Sequence, residues 1–269
     1  MPLKDWDIQI NYGIKTGFND AFIITTEKRD EILANCQTKE ERQRTTELIR
    51  PILRGRDIKK YCCEWANLWL IYIPWHFPYQ FDDTIQGASE KAEQAFKEQY
   101  PSVYQHMLQY KEPLSKRNKA ETGIRYEWYA MQRWGAKYWD DFFKQKIIFQ
   151  EIVQESQFAF DTDTHFMCND TCRIIVGNNI NFLLGVLNSK LFFFAIKTYY
   201  GGGGLGEHAV RMKHTFFGNF PCVKTDDIVN RLVQNRLSTN DISLDVDIDK
   251  RIYELYHLSD QEIRFVENG

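Results

Sequence analysis

The chain changes its hydrophobic period part-way along, and this change constrains the fold more than any single motif. Residues 146–152 and 172–176 form short runs rich in branched and aromatic side chains, whereas Ile180, Leu183, Leu184, Leu187 and Leu191 recur at helical spacing. Short apolar runs of this kind read as buried strands, while apolar positions three and four apart share one helical face. A mixed α/β fold follows, with Asn188 and Ser189 marking a break in the helix. Residues 65–73, ending before Pro74, and 157–160 read as further strands. Ile8, Ile10 and Tyr12 alternate with polar residues and residues 21–25 form a second apolar run, so the N-terminus reads as a β-hairpin whose connection is bracketed by Gly13 and Gly17.

Helix starts are written in the polar residues. Thr38 with Glu41, and Ser259 with Glu262, match the capping box, in which two side chains satisfy each other's orphan amides. The first predicts a helix running through Leu48 to Pro51. The second, with Leu258 and Ile263 as a hydrophobic staple, predicts a terminal helix, and Ser89 opens a polar helical stretch reaching Tyr100. Ile248, Ile252, Leu255 and Tyr256 give the preceding segment its own stripe, so the tail is expected to dock as a helical hairpin. Residues 1–223 are expected to form one unit and 224–269 a C-terminal helical appendage.

With 269 residues and 43% hydrophobic content, the chain can bury one large core or two smaller ones. No apolar run approaches the roughly 18 residues needed to cross a bilayer, and MPLKDWDIQI lacks the basic and apolar regions of a secretory signal. A cytoplasmic location without membrane contact is expected, with the six cysteines reduced. Cys168 and Cys172 could supply half a zinc site, but no second pair follows at comparable spacing, so no metal is expected. The net charge of −3 is unevenly spread: residues 111–146 hold nine basic against five acidic residues, and residues 224–269 hold six against ten. A basic face with an acidic appendage is compatible with nucleic acid, as is a solvated mixture of charges.

Four segments offer donors without an obvious catalytic group. In INYGIKTGFNDAFIITTE, Lys15, Thr16 and Asn19 lie among glycines that allow close backbone approach. Arg54, Arg56, Lys59 and Lys60 surround Gly55, where they could meet phosphates or form a salt-bridge cluster with Asp57. Arg125, Trp128, Gln132 and Arg133 interleave donors with rings, as base readout or stacking requires, although at least half of the local aromatics should be core. Arg211 and Lys213 follow a glycine run in which Gly201, Gly203 and Gly206 satisfy GxGxxG, with Asp226 twenty residues on. The preceding LFFFAIKTYY reads as helix rather than strand, which argues against a dinucleotide site.

Read in order, GIKTGFNDAFII, LIRPILRGRDIKKY, RYEWYAMQRWGAKYWDDFFKQKIIFQEI and LLGVLNSKLFFFAIKTYYGGGG resemble the TaqI-like C-terminal specificity domain, the target recognition domain of many type IIG restriction-modification enzymes. The ending DIDKRIYELYHLSDQEIRFVE resembles the usual C-terminus of such enzymes. The resemblance implies a target-recognition-domain-like curved sheet with packed helices, and sequence-specific binding of double-stranded DNA. It implies N-terminal methyltransferase and nuclease domains as partners, with S-adenosylmethionine and magnesium serving those domains and no cofactor in this chain. Lys15, Arg54, Arg56 and Lys213 would then hold phosphates and Arg125, Gln132 and Arg133 would read bases, with Thr16, Asn19, Trp128 and Arg211 also at the DNA. A cationic hollow including Arg56, Arg125 and Arg133 is expected where the N-terminal turn meets the tryptophan-rich middle.

Catalytic motifs are missing from the sequence. It has no Asn-Pro-Pro-Tyr tetrapeptide and no GxSxG, and Asp57-Ile58-Lys59 is a poor nuclease match in an arginine-rich turn. No catalytic residue is expected, and the chain reads as a fragment that is not itself an enzyme. The alternative is an aromatic-rich carbohydrate or small-ligand binding module, since 15% of the residues are aromatic.

Overall fold

The computed structural model describes residues 1–117, 122–163, 165–200 and 209–268. Within them the central sheet holds β1 (Ile8–Tyr12), β9 (Cys172–Gly177), β5 (Lys146–Gln150) and β7 (Phe158–Asp161) in that spatial order, all antiparallel. Side chains alternate across a strand, so Ile147, Phe149 and Ile175 enter one core while Ile148, Cys172 and Ile174 enter the other. Burial on both faces explains why β5 and β9 read as continuous apolar runs rather than alternating ones.

A second sheet orders β2 (Ile23–Thr25), β4 (Leu68–Ile71), β3 (Ile49–Leu53) and β8 (Met167–Cys168), with β3 and β8 parallel. The ribbon β6 (Ile152–Val153) with β10 (Val210–Arg211) completes the strands. The mixed α/β architecture is therefore as expected, but the N-terminal hairpin is not formed. β1 pairs with β9 and β2 with β4, so residues 13–22 pass from one sheet to the other. A short helix, α1 (Asn19–Phe22), buries Ala21 and Phe22 in that passage. Long-range ladders that bury both strands outcompete the local pairing suggested by the glycines.

The first core is covered by α2 (Thr26–Ala34), α3 (Lys39–Leu48), α4 (Glu90–Gln99), α5 (Pro101–Leu108) and α6 (Lys111–Lys116). Thr38 caps α3 as predicted, accepting from Glu41 N at 3.1 Å. The Glu41 carboxylate departs from the reciprocal box and accepts instead from Gln37 N and from Ser102 N and Oγ, tying α3 to α5. The helix stops at Leu48, and Pro51 lies within β3.

The second core is built by α7 (Ile180–Leu187), α8 (Lys190–Ala195), α9 (His214–Phe217), α10 (Asp227–Thr239), α11 (Leu244–Leu255) and α12 (Asp260–Asn268). The break foreseen at Asn188 and Ser189 is present: α7 and the helical stretch of residues 190–200 meet at a 62° bend. Ser189 Oγ caps α8 by accepting from Phe192 N, while the Asn188 carboxamide bonds both backbone groups of Phe158 at 3.0 and 2.8 Å. At Gly185 a Cβ would lie 2.9 Å from Val229 and Val233, so the bare backbone lets α10 approach α7. The Ser259–Glu262 box is complete. Among the described residues no single helix is long and apolar enough to cross a membrane.

Two polar groups in these cores carry measurable consequences. Lys146 and Asp161 face each other across β5 and β7, are 0% and 4% exposed, and meet at 2.5 Å. Lys146 therefore belongs to the interior, not to a basic face. Removing one partner of a buried pair strands the other charge, so Lys146→Met should lose about 3–5 kcal/mol in urea unfolding. Adding Asp161→Leu should recover part of that loss. His106 donates from Nε2 to the Ala21 carbonyl at 3.0 Å, and its buried Nδ1 has no partner. Burial holds this imidazole below its ordinary range. The unfolded chain then binds a proton that the folded one refuses, so stability should fall as pH drops below about 6.5. Melting curves of His106→Gln should show a shallower decline.

Candidate nucleic-acid interface

The loop after β1 is held by its backbone on three sides. Gly13 N donates to Cys172 O at 3.1 Å and Ile14 N to Cys168 O at 2.8 Å. A Cβ at Gly13 would lie 1.9 Å from Asn169 O, so this glycine serves an internal close approach rather than approach to a ligand. Lys15 and Arg133 exchange backbone hydrogen bonds of 2.9 and 2.8 Å, and Gln132 N donates to Thr16 O. The first and third segments singled out in the sequence are thereby joined.

Arg117 locks this junction from beneath. Its guanidinium donates to the carbonyls of Thr16, Ala130 and Trp128, the last at 3.0 Å. Burial lowers its pKa to about 10, and it lies against the rings of Phe22 and Tyr126. Although only half-buried, it is, like Lys146, a cation turned onto the protein's own carbonyls in the stretch that composition suggested as a basic face. Its role is not legible in the sequence, because an arginine that bonds three backbone carbonyls has no local signature.

Beside the junction lies a hollow of about 630 Å³ lined by Asn19, Arg54, Arg56 and Arg211, together with Gln150, Glu151, Asn169, Asp170 and Thr171. Three recognition candidates from separate parts of the chain, the first loop, the arginine turn and β10, thus converge. Gly55 lets the turn close against the strand end: its amide donates to Thr171 Oγ1 at 3.0 Å, and a Cβ would lie 2.8 Å from Gln150 Oε1. The wall alternates arginines, carboxamides and two carboxylates. Such a surface can donate and accept along base edges, and its positive charge is modest.

The individual candidates divide. Arg56 is exposed, and no ion pair involves it among the described residues. Arg54 turns its fork onto the buried Asp57, with Nε at 3.0 Å and Nη2 at 2.8 Å, so it is first a clamp of its own turn. Asp57 is the acid of the Asp-Ile-Lys triplet, and this contact accounts for it. Thr16 is 2% exposed, and its hydroxyl donates to Asn19 Oδ1 and accepts from Phe18 N. It shapes the loop and is corrected from a ligand contact. Lys15 and Arg133 are exposed, while Gln132 is half-buried under Gly17.

Trp128 is half-buried: its Nε1 donates to Glu93 Oε1 at 2.8 Å, and its ring packs with Tyr104 and Tyr129 against the first core. Arg125 is exposed in the turn that Gly123 N closes on Tyr126 O, and it does not line the hollow. The expected grouping of Arg56, Arg125 and Arg133 in one concavity is therefore replaced by Arg54, Arg56 and Arg211. Lys213 follows Arg211 closely, its amide donating to Arg211 O, with Nζ 5.9 Å from the Phe216 ring.

The glycine run at 201, 203 and 206 lies outside the described residues. Residues 190–200, which precede it, are helical, as the sequence suggested, and Asp226 caps α10 and pairs with Arg251 at 2.7 Å. Among the described residues no cluster of His, Cys, Asp or Glu is arranged to hold a metal ion.

Against this geometry, the comparisons with known proteins are consistent. The pattern described as the TaqI-like C-terminal specificity domain matches residues 50–221. The chain belongs to this family. A TaqI-like specificity domain is a module of restriction-modification enzymes, and the relatives are of that kind. The type II methyltransferase M.MjaIV of Methanocaldococcus jannaschii is 23% identical over 212 residues, 77% of this chain; the match spans 61% of that relative's length. The type IIL restriction-modification enzyme MmeI, solved in complex with DNA, shares the fold with a TM-score of 0.61 at 14% identity, over 96% of this chain and 34% of MmeI. The type IIG restriction endonuclease BpuSI gives a TM-score of 0.48 at 12% identity, over 89% of this chain and 26% of its own.

Since Arg117 satisfies three carbonyls of the junction, Arg117→Met should lose about 3 kcal/mol in urea unfolding. Arg117→Lys keeps the charge without the planar fork and should recover only part of the loss.

Proposed function

We propose that this chain is the sequence-reading module of a type IIG-like restriction-modification enzyme. In this reading it holds double-stranded DNA so that a methyltransferase domain can modify adenine at N6 and a nuclease domain can cleave. The observation that carries the proposal is the convergence of Asn19, Arg54, Arg56 and Arg211 on one hollow beside the paired Lys15 and Arg133. S-adenosylmethionine and magnesium would serve the other domains. The carboxylates of this hollow do not form a metal cluster, and no chemical step is assigned to them.

Lys15, Arg56, Arg211 and Lys213 are suited to phosphates because each lies at or next to the loop and hollow and none is in an ion pair among the described residues. Arg133 and its neighbour Gln132, with Asn19 in the hollow, are suited to base edges, where arginine reads guanine and carboxamides read adenine. About four phosphate contacts give a log-log salt slope of roughly −3 to −4. Titration of the full chain with random duplex DNA between low and moderate salt should show that slope. Salt-insensitive binding, or binding to sugars in its place, would refute the reading. Arg56→Ala should weaken all duplexes alike and flatten the slope by about one, whereas Arg133→Ala should erase preference at one base pair, worth about 1–3 kcal/mol.

A further inference from the structure

Tyr12 enters the sequence pattern only as the last alternating residue of a strand, yet its ring meets two guanidiniums, those of Arg133 and Arg173. The β1–β9 register places Tyr12 directly opposite Arg173. Arg173 is held in place: Nη2 donates to Glu151 Oε2 at 2.5 Å, and Nη1 donates to the carbonyls of Asp170 and Cys172 at 3.2 and 2.9 Å. The Tyr12 ring lies over this guanidinium at 4.0 Å, and the guanidinium of Arg133 lies over the same ring at 5.1 Å. Tyr12 is 40% exposed and Arg133 is exposed, whereas Arg173 is buried.

The order is thus Glu151, Arg173, Tyr12, Arg133, running from the wall of the hollow to an exposed donor. An exposed arginine samples many rotamers, and a flat ring beneath its guanidinium restricts them because the ring's negative face attracts the cation. We propose that Tyr12 is a positioning residue for sequence readout: it orients the Arg133 fork, and Glu151 and Arg173 hold Tyr12. This rests on the DNA-reading function proposed above and deepens it. Bidentate recognition of a guanine edge depends on the plane of the fork, so a mobile Arg133 would bind phosphate nearly as well while discriminating bases poorly.

The test is selection by the full chain from a randomised double-stranded oligonucleotide pool, followed by affinities for the selected site and its single base-pair variants. Arg133→Ala identifies the base pair that this residue reads. Tyr12→Ala and Tyr12→Leu should lose preference at that same pair by at least about fivefold, with other positions and the salt slope unchanged. Tyr12→Phe should retain it, because the face of the ring is preserved. Combining Tyr12→Ala with Arg133→Ala should be no worse than Arg133→Ala alone. Tyr12→Leu keeps apolar bulk, so a folded Tyr12→Leu protein that retains the preference overturns the proposal, as do losses spread over every position. If the unaltered protein binds the pool with the expected salt slope but Tyr12 and Arg133 affect different base pairs, only the positioning role falls. If it enriches no sequence, the DNA-reading function falls and the positioning role with it.

Discussion

Burial of the central sheet on both faces is the constraint from which the rest of the molecule follows. The two-residue period of β5 and β9 sends neighbouring isoleucines into different cores, so each strand is committed to two packing partners at once. A slip of one residue would exchange the two sets of side chains, and with them the pairing of Lys146 with Asp161 and of Tyr12 with Arg173. The register that builds the core thus also sets the geometry of the charged stack at the end of the sheet.

The candidate interface is assembled where one sheet hands the chain to the other. Residues 13–22 cross that gap, and their backbone is fixed by Cys168, Cys172, Arg133 and Gln132 before any side chain is considered. Inward-facing polar groups do much of this work. Arg117 gathers three carbonyls, Asp57 gathers its own turn, and the Thr16 hydroxyl closes the loop on Asn19. A binding surface raised on satisfied backbone groups starts from a defined shape, which reduces the ordering entropy of recognition.

Much of the fold was legible in the sequence where one physical signal dominated. The change of period at Ile180, the break at Asn188 and Ser189, and the caps at Thr38, Ser89 and Ser259 all depend on neighbouring residues, and all are present. The N-terminal hairpin was misread because the partner of β1 lies far along the chain in β9. The candidate site was legible by residue type and not by placement. Asn19, Arg54, Arg56 and Arg211 converge, whereas Trp128, with the composition of a stacking platform, is half-buried against the first core. Local sequence does not distinguish an arginine that faces solvent from Arg117, whose partners are carbonyls from residues 16, 128 and 130. Tyr12, Arg173 and Glu151 escaped notice because their association exists only once the register is known.

The carboxamide at Asn188, described as a helix break, has a second effect at the opposite end of its side chain. By occupying both the amide and the carbonyl of Phe158, a carbonyl that also accepts from Tyr61 N, it ties the outer margin of β7 to the helix break behind it. A kink between two core helices thereby doubles as a rivet between the helical layer and the last strand of the central sheet.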